Sequence, residues 1–147
     1  MKPTTVIVSL PVTDLDRSLR FYRDGLHLPT PDIDESIIAF ELPNLSLFLI
    51  EHSQYTAYTN RAGVHAHNAP AAGACVLSCA IGSKEEVDDT LVRAETAGGS
   101  VSGPADYYDG SYTGYFSDPD GHLWELVFNS RTEAAAASGA ATEKDTT

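Results

Sequence analysis

The residue best suited to chemistry is a carboxylate near the end of the chain. Glu125 stands in the run His122-Leu123-Trp124-Glu125, inside a segment that reads as a strand over residues 122–129. Pointed into an apolar cleft, it would lose hydration and hold its proton more tightly. Such a group acts as a general acid or base, or accepts a hydrogen bond from a ligand. The competing reading is structural: Glu125 pairs with an arginine or a tyrosine hydroxyl. Its neighbour Trp124 should point to the opposite face of the strand, into a sheet–helix core. Four tyrosines, Tyr107, Tyr108, Tyr112 and Tyr115, crowd the preceding segment. Tyrosine offers flat apolar area with a polar tip, which suits planar ligands; packing of a sheet edge or a dimer seam is the alternative. His65 and His67 form an H-x-H pair beside Gly63 and Asn68. They read as a polar surface loop, against a displaced metal site with Glu51 or His52 nearby. His27 and His122 fall in or beside turns. The sequence holds no Ser-His-Asp set, P-loop, GxGxxG or Cys-His pair.

These residues need elements to position them, and the chain supplies the same set twice. Residues 4–12 read as a strand. Thr13 with Asp16 makes a capping-box pattern, and Leu15, Leu19, Tyr22 and Leu26 recur at helical spacing, with Gly25 as the stop. Strands at 36–42 and 45–51 follow, joined at Pro43-Asn44, with a short extra strand near Leu28. The second set is a strand at 73–81, a cap at Ser83 with Glu86, a stripe of Val87, Leu91 and Ala94, a stop at Gly98-Gly99, and strands at 100–104, 111–117 and 122–129. The hairpin Phe40-Glu41-Leu42-Pro43-Asn44 resembles Phe116-Ser117-Asp118-Pro119-Asp120, so the unit is a duplicated βαβββ. The expected fold class is α+β: two βαβββ modules, at about 4–52 and 73–129, forming a curved mixed sheet around a central cleft with both helices on its outer face. Residues 53–72 connect the halves, with a helical turn around 55–58. Residues 130–147 carry no apolar side chain larger than Ala; such a tail cannot offset its chain entropy and is expected to be disordered.

The 147 residues make one domain, with 42% apolar residues for a core. A net charge of −12 repels nucleic acid and anionic membranes, which are excluded as partners. No run approaches the roughly 20 apolar residues of a membrane span, and the N-terminus has no signal-peptide pattern. Cys75 and Cys79, four residues apart on one strand, would have Cα atoms about 13 Å apart, beyond the roughly 7 Å limit of a disulfide. A reducing, cytoplasmic setting follows.

Two segments carry a family signature: residues 10–22, Leu-Pro-Val-Thr-Asp-Leu-Asp-Arg-Ser-Leu-Arg-Phe-Tyr, and residues 114–126, Gly-Tyr-Phe-Ser-Asp-Pro-Asp-Gly-His-Leu-Trp-Glu-Leu. They resemble the vicinal oxygen chelate superfamily, which holds the glyoxalase, bleomycin-resistance and extradiol-dioxygenase proteins, and within it the glyoxalase-like, predicted lactoylglutathione lyase branch. The resemblance spans about residues 4–129. It implies a ligand cleft and, in metal-dependent members, four inward His, Glu or Gln ligands. Glu125 matches the last of these. The others fall on Ile7, on Phe48 (or Leu49 if the halves align without a gap), and on one of Ala74, Val76 or Ser78. Those residues are poor donors, so no metal and no cofactor is expected. The resemblance then implies a metal-free protein binding a small, apolar or aromatic organic molecule, lined by Ile7, Ser9, Phe48, Ser78, Tyr108, Tyr112 and Glu125. Glu125 is the candidate catalytic residue if there is turnover. The alternative is a divalent-metal lyase, isomerase or dioxygenase. A homodimer is expected, since relatives join halves across a two-fold axis.

Overall fold

The computed structural model describes residues 1–65 and 74–129. The first half is β1 (Ile7–Val12), α1 (Leu15–Leu19) with a π-helical continuation (Arg20–Gly25), β2 (Asp32–Asp34), β3 (Ile37–Leu42) and β4 (Leu45–Glu51). The second is β5 (Val76–Ala80), α3 (Lys84–Thr96), β6 (Asp106–Tyr108), β7 (Ser111–Ser117) and β8 (Leu123–Phe128). Between them lies α2 (His52–Arg61), packed against β1 and β4. Each half makes one four-stranded mixed sheet, ordered β1-β4-β3-β2 and β5-β8-β7-β6. In each the first strand runs parallel to the last and the remaining pairs are antiparallel. The duplicated βαβββ, α+β fold is therefore what the chain forms.

Local chemistry explains where the elements depart from expectation. The cap of α1 is Asp14, whose carboxylate accepts from the Arg17 amide; Thr13 instead bonds to the other half. The first helix runs through Gly25, and the left-handed turn residue is His27, at φ 61°. The short extra strand is Asp32–Asp34, not a segment at Leu28. The connector holds ten helical residues where a single turn was expected. Residues 100–104 contribute only a bridge from Ser100 to Ser117, and β6 takes the edge position. Ser83 caps α3 as expected, accepting from the Glu86 amide. Cys75 lies exposed before β5, while Cys79 packs against the core; both are free thiols. The expected disordered tail lies outside the described residues.

One hydrophobic cluster draws on both halves: Leu10, Val12, Ile38, Phe40, Leu47 and Leu49 from the first sheet, Tyr112, Phe116, Trp124 and Leu126 from the second. Phe21 and Tyr22 lie between them, both fully buried. Tyr22 packs on Phe40 at 6.0 Å and on Trp124 at 5.9 Å, centroid to centroid. The first helix thus packs against side chains from both sheets. Strand alternation fixes the rest: Trp124 faces this core, and Glu125 faces the other way.

Candidate functional site

On the sheet face turned away from the helices, three neighbouring strands bring polar side chains together. Register sets Ser78 of β5 opposite Glu125 of β8, and Glu125 opposite Tyr115 of β7. The Ser78 hydroxyl donates to Glu125 Oε2 at 2.6 Å, and the Tyr115 hydroxyl donates to Oε1 at 2.9 Å. The carboxylate is thus held at both oxygens by hydroxyl donors from the flanking strands. The bond to Glu125 raises the Tyr115 hydroxyl above its ordinary pKa, with the nearby Tyr108 adding to it. Tyr108 is on the same face, opposite Ser111 at the sheet edge, and is highly exposed. Its hydrogen-bond partners are thus two hydroxyls, a tyrosine hydroxyl being one of the partners that the structural reading named.

The equivalent face of the first sheet is apolar at the matching positions. Ser9 stands opposite Phe48, and Phe48 opposite Ala39. Phe40 pairs with Leu47 as Phe116 pairs with Trp124, so Phe48 is the counterpart of Glu125. Leu49 is fully buried on the core side. The counterparts sit one register step off a gapless alignment because the turns differ. Pro43 and Asn44 join one hairpin, whereas Pro119, Asp120 and Gly121 join the other, and Gly121 takes a left-handed φ of 89°. Ser9 and Ser78 are likewise counterparts, as are Ile7 and Val76, which stand opposite Ser46 and Leu123. No hydrogen bond joins Ile7, Ser9 or Phe48 to the Glu125 group. Tyr112 lies on the opposite face: its ring packs on Tyr107 at 5.3 Å, and its hydroxyl donates to Asp88 at 2.6 Å. That bond, with partial burial, raises its pKa to about 12.

Sequence reasoning named Tyr115 in the tyrosine cluster but omitted it from the ligand-lining set. The parity of β7 was the available signal. Tyr112, Gly114 and Phe116 are buried, so Ser111, Thr113 and Tyr115 must face out.

The signature segments themselves meet elsewhere. Asp120 Oδ1 accepts from the Thr13 amide at 3.1 Å, the Thr13 hydroxyl at 2.9 Å and Arg17 Nη2 at 3.0 Å. His122 Nε2 donates to the Pro11 carbonyl at 2.7 Å. Tyr22 donates to Asp118 at 2.6 Å and accepts from Trp124 Nε1 at 3.1 Å. Asp118 also receives the amides of Asp120 and His122, which fixes the turn. The two motifs hold the halves to each other, which is why they mark the fold and leave the reaction open.

A divalent ion needs several N, O or S donors. Among the described residues no group of three or more His, Cys, Asp or Glu is placed to hold one, and the nearest polar partners of Glu125 are hydroxyls. His65 turns to Asn60, with 3.0 Å between Nδ1 and Oδ1; His67 lies outside the described residues. The described residues therefore do not fit the superfamily's metal.

A family model for the Glyoxalase/Bleomycin resistance protein/Dioxygenase superfamily matches residues 5–126. The fold, the duplicated sheets and this match define the class, and the chain belongs to that superfamily. A glyoxalase-related enzyme from Fulvimarina pelagi is 28% identical, with a TM-score of 0.74 over 86% of this chain and 88% of that one. A lactoylglutathione lyase from Agrobacterium tumefaciens is 25% identical, with a TM-score of 0.60 over 86% and 95%. The fosfomycin resistance protein FosX from Listeria monocytogenes shares the fold, at 20% identity and a TM-score of 0.66 over 90% and 99%. No curated protein matches. Among the described residues, no helix is long and apolar enough to cross a membrane.

Proposed function

We propose that this chain is a small-molecule-binding protein of the superfamily whose organic ligand rests on the open sheet face around Glu125, without a resident metal. One observation carries the reading: Glu125 is held in place by Ser78 and Tyr115, on a face that also carries Tyr108 and has no role in the core. A fixed carboxylate beside aromatic rings is a recognition group for a ligand with a donor and a flat apolar part. If the ligand is turned over, Glu125 is the acid or base. Names among the relatives, a lyase and a resistance protein, are compatible with either sequestration or turnover. The metal-dependent alternative, a lyase, isomerase or dioxygenase, has one feature in its favour: Glu125 occupies the family's last ligand position. We also propose a homodimer in the reducing cytoplasm. β1 and β5 each pair on one side only, and Ile7 and Val76 on them are about half exposed, an arrangement that invites cover.

Elemental analysis of the purified protein decides between the readings. The expected content is well under one equivalent of Ni, Zn, Fe or Mn, with melting unchanged by EDTA, and a thermal-shift screen of small aromatic compounds finds binders. One tightly held ion per chain, released by Glu125→Gln, would establish the metal-dependent alternative instead.

A further inference from the structure

The charges of this protein are segregated by element. The eight strands among the described residues carry Asp32, Asp34, Glu41, Glu51, Asp106 and Glu125, and not one Lys, Arg or His. The ion pairs among the described residues, Arg17–Asp120 and Arg23–Asp24, involve none of these strand carboxylates. Glu125 therefore has hydroxyl donors but no counter-charge among the described residues. Each of its oxygens accepts one hydrogen bond and keeps acceptor capacity for another.

The second sheet shows on its other face how this chain accommodates a cation. There Lys84 Nζ stands 4.8 Å from the Tyr107 ring centroid and 4.6 Å from that of Tyr112, whose hydroxyl binds Asp88. The open face of the same sheet presents Tyr108, one residue from Tyr107, and Tyr115, three residues from Tyr112, with Glu125, and Asp106 opposite Thr113 on the same side. This second set of aromatic and carboxylate groups has no cation of its own among the described residues.

We propose that the ligand at Glu125 is an organic cation, an ammonium or amidinium group on a flat apolar frame. This rests on the reading of that face as the ligand site. The cation's N–H groups would take the free acceptor positions of Glu125 as charge-assisted hydrogen bonds, and its frame would lie against the tyrosine rings. The net charge of −12 draws cations towards the protein and turns carboxylate- or phosphonate-bearing compounds away.

Benzylamine, benzyl alcohol and benzoate differ in charge and little in size. They are titrated into the full chain while the backbone amide signals of β5, β7 and β8 are followed. Benzylammonium should bind at least about ten-fold more tightly than benzyl alcohol, as expected for a charge-assisted contact, with benzoate weakest. Added salt should weaken the amine alone. Glu125→Gln should abolish the preference and leave alcohol binding in place; if that variant does not fold, the wild-type series with and without salt still decides. Equal or tighter binding of the alcohol or benzoate overturns the cation assignment and leaves the small-molecule reading standing, as does a preference that survives Glu125→Gln. If the amine and its two analogues leave these signals unmoved, the cation assignment falls. If uncharged aromatic compounds also leave them unmoved, the binding reading falls with it.

Discussion

Glu125 shows how much one side chain's meaning depends on its neighbours across the sheet. Two hydroxyls orient the carboxylate, and its removal therefore costs little stability. In Glu125→Gln one oxygen still accepts, and the Ser78 hydroxyl can rotate to accept from the new amide. The melting free energy should move by less than about 1 kcal/mol, while ligand binding falls; a chemical denaturation curve beside a binding titration checks both. Tyr22 is the opposite case. Its buried hydroxyl donates to Asp118 and accepts from Trp124, so Tyr22→Phe leaves two buried polar groups short of a partner. A loss of about 2–4 kcal/mol is expected, and a variant as stable as wild type would show that the contact between halves does not depend on it.

At the scale of elements, the close approach at the end of α3 sets the geometry. A Cβ on Gly99 would lie 2.6 Å from the Ser117 carbonyl oxygen, 2.9 Å from Phe21 Cε2 and 3.0 Å from the Ala94 carbonyl oxygen. Two of those atoms are backbone and cannot step aside. Gly99→Ala must therefore push the bridge between Ser100 and Ser117 apart, or shift the helix, at a cost on the order of 1–3 kcal/mol. Thermal melting of the variant tests this. The sequence placed Gly98-Gly99 as a helix stop, and helix and strand spacing gave most of the elements. It misplaced the short edge strands. Three-residue strands such as β2 and β6 have too few residues to show alternation, and pairing with a neighbour defines them. The ten residues of α2 were equally hard to foresee, since they bury no side chain and show no apolar stripe.

At the scale of the whole molecule, three tyrosine hydroxyls donate to carboxylates among the described residues: Tyr22 to Asp118, Tyr112 to Asp88 and Tyr115 to Glu125. Burial, then the Asp118 charge, holds Tyr22 well above its ordinary pKa, and the carboxylate bond is the main cause for Tyr112 and Tyr115. A raised folded-state pKa means that the folded protein keeps protons the unfolded chain has released. Their stabilisation is complete below about pH 10, the unfolded tyrosine value, and declines as pH rises through the folded values. Unfolding curves from pH 8 to 12 should show a plateau and then a fall beginning near pH 10, shallower in Tyr112→Phe. Sedimentation at micromolar concentration tests the proposed dimer, for which a mass of two chains is expected; a single-chain mass counts against it.

The sequence alone determined the duplicated unit, the core face of Trp124 and the superfamily, because periodicity, caps and the two signature segments are local properties of the chain. It could not show that those two segments bind each other, since Thr13 and Asp120 are 107 positions apart and nothing local records the contact. Nor could it choose between Phe48 and Leu49 as the counterpart of Glu125. One extra turn residue, Gly121, shifts the register, and only the paired strands reveal it. For the same reason Tyr115 rather than Tyr112 meets Glu125: a one-residue step along a strand moves a side chain to the other face, and the tertiary structure alone fixed which face is core.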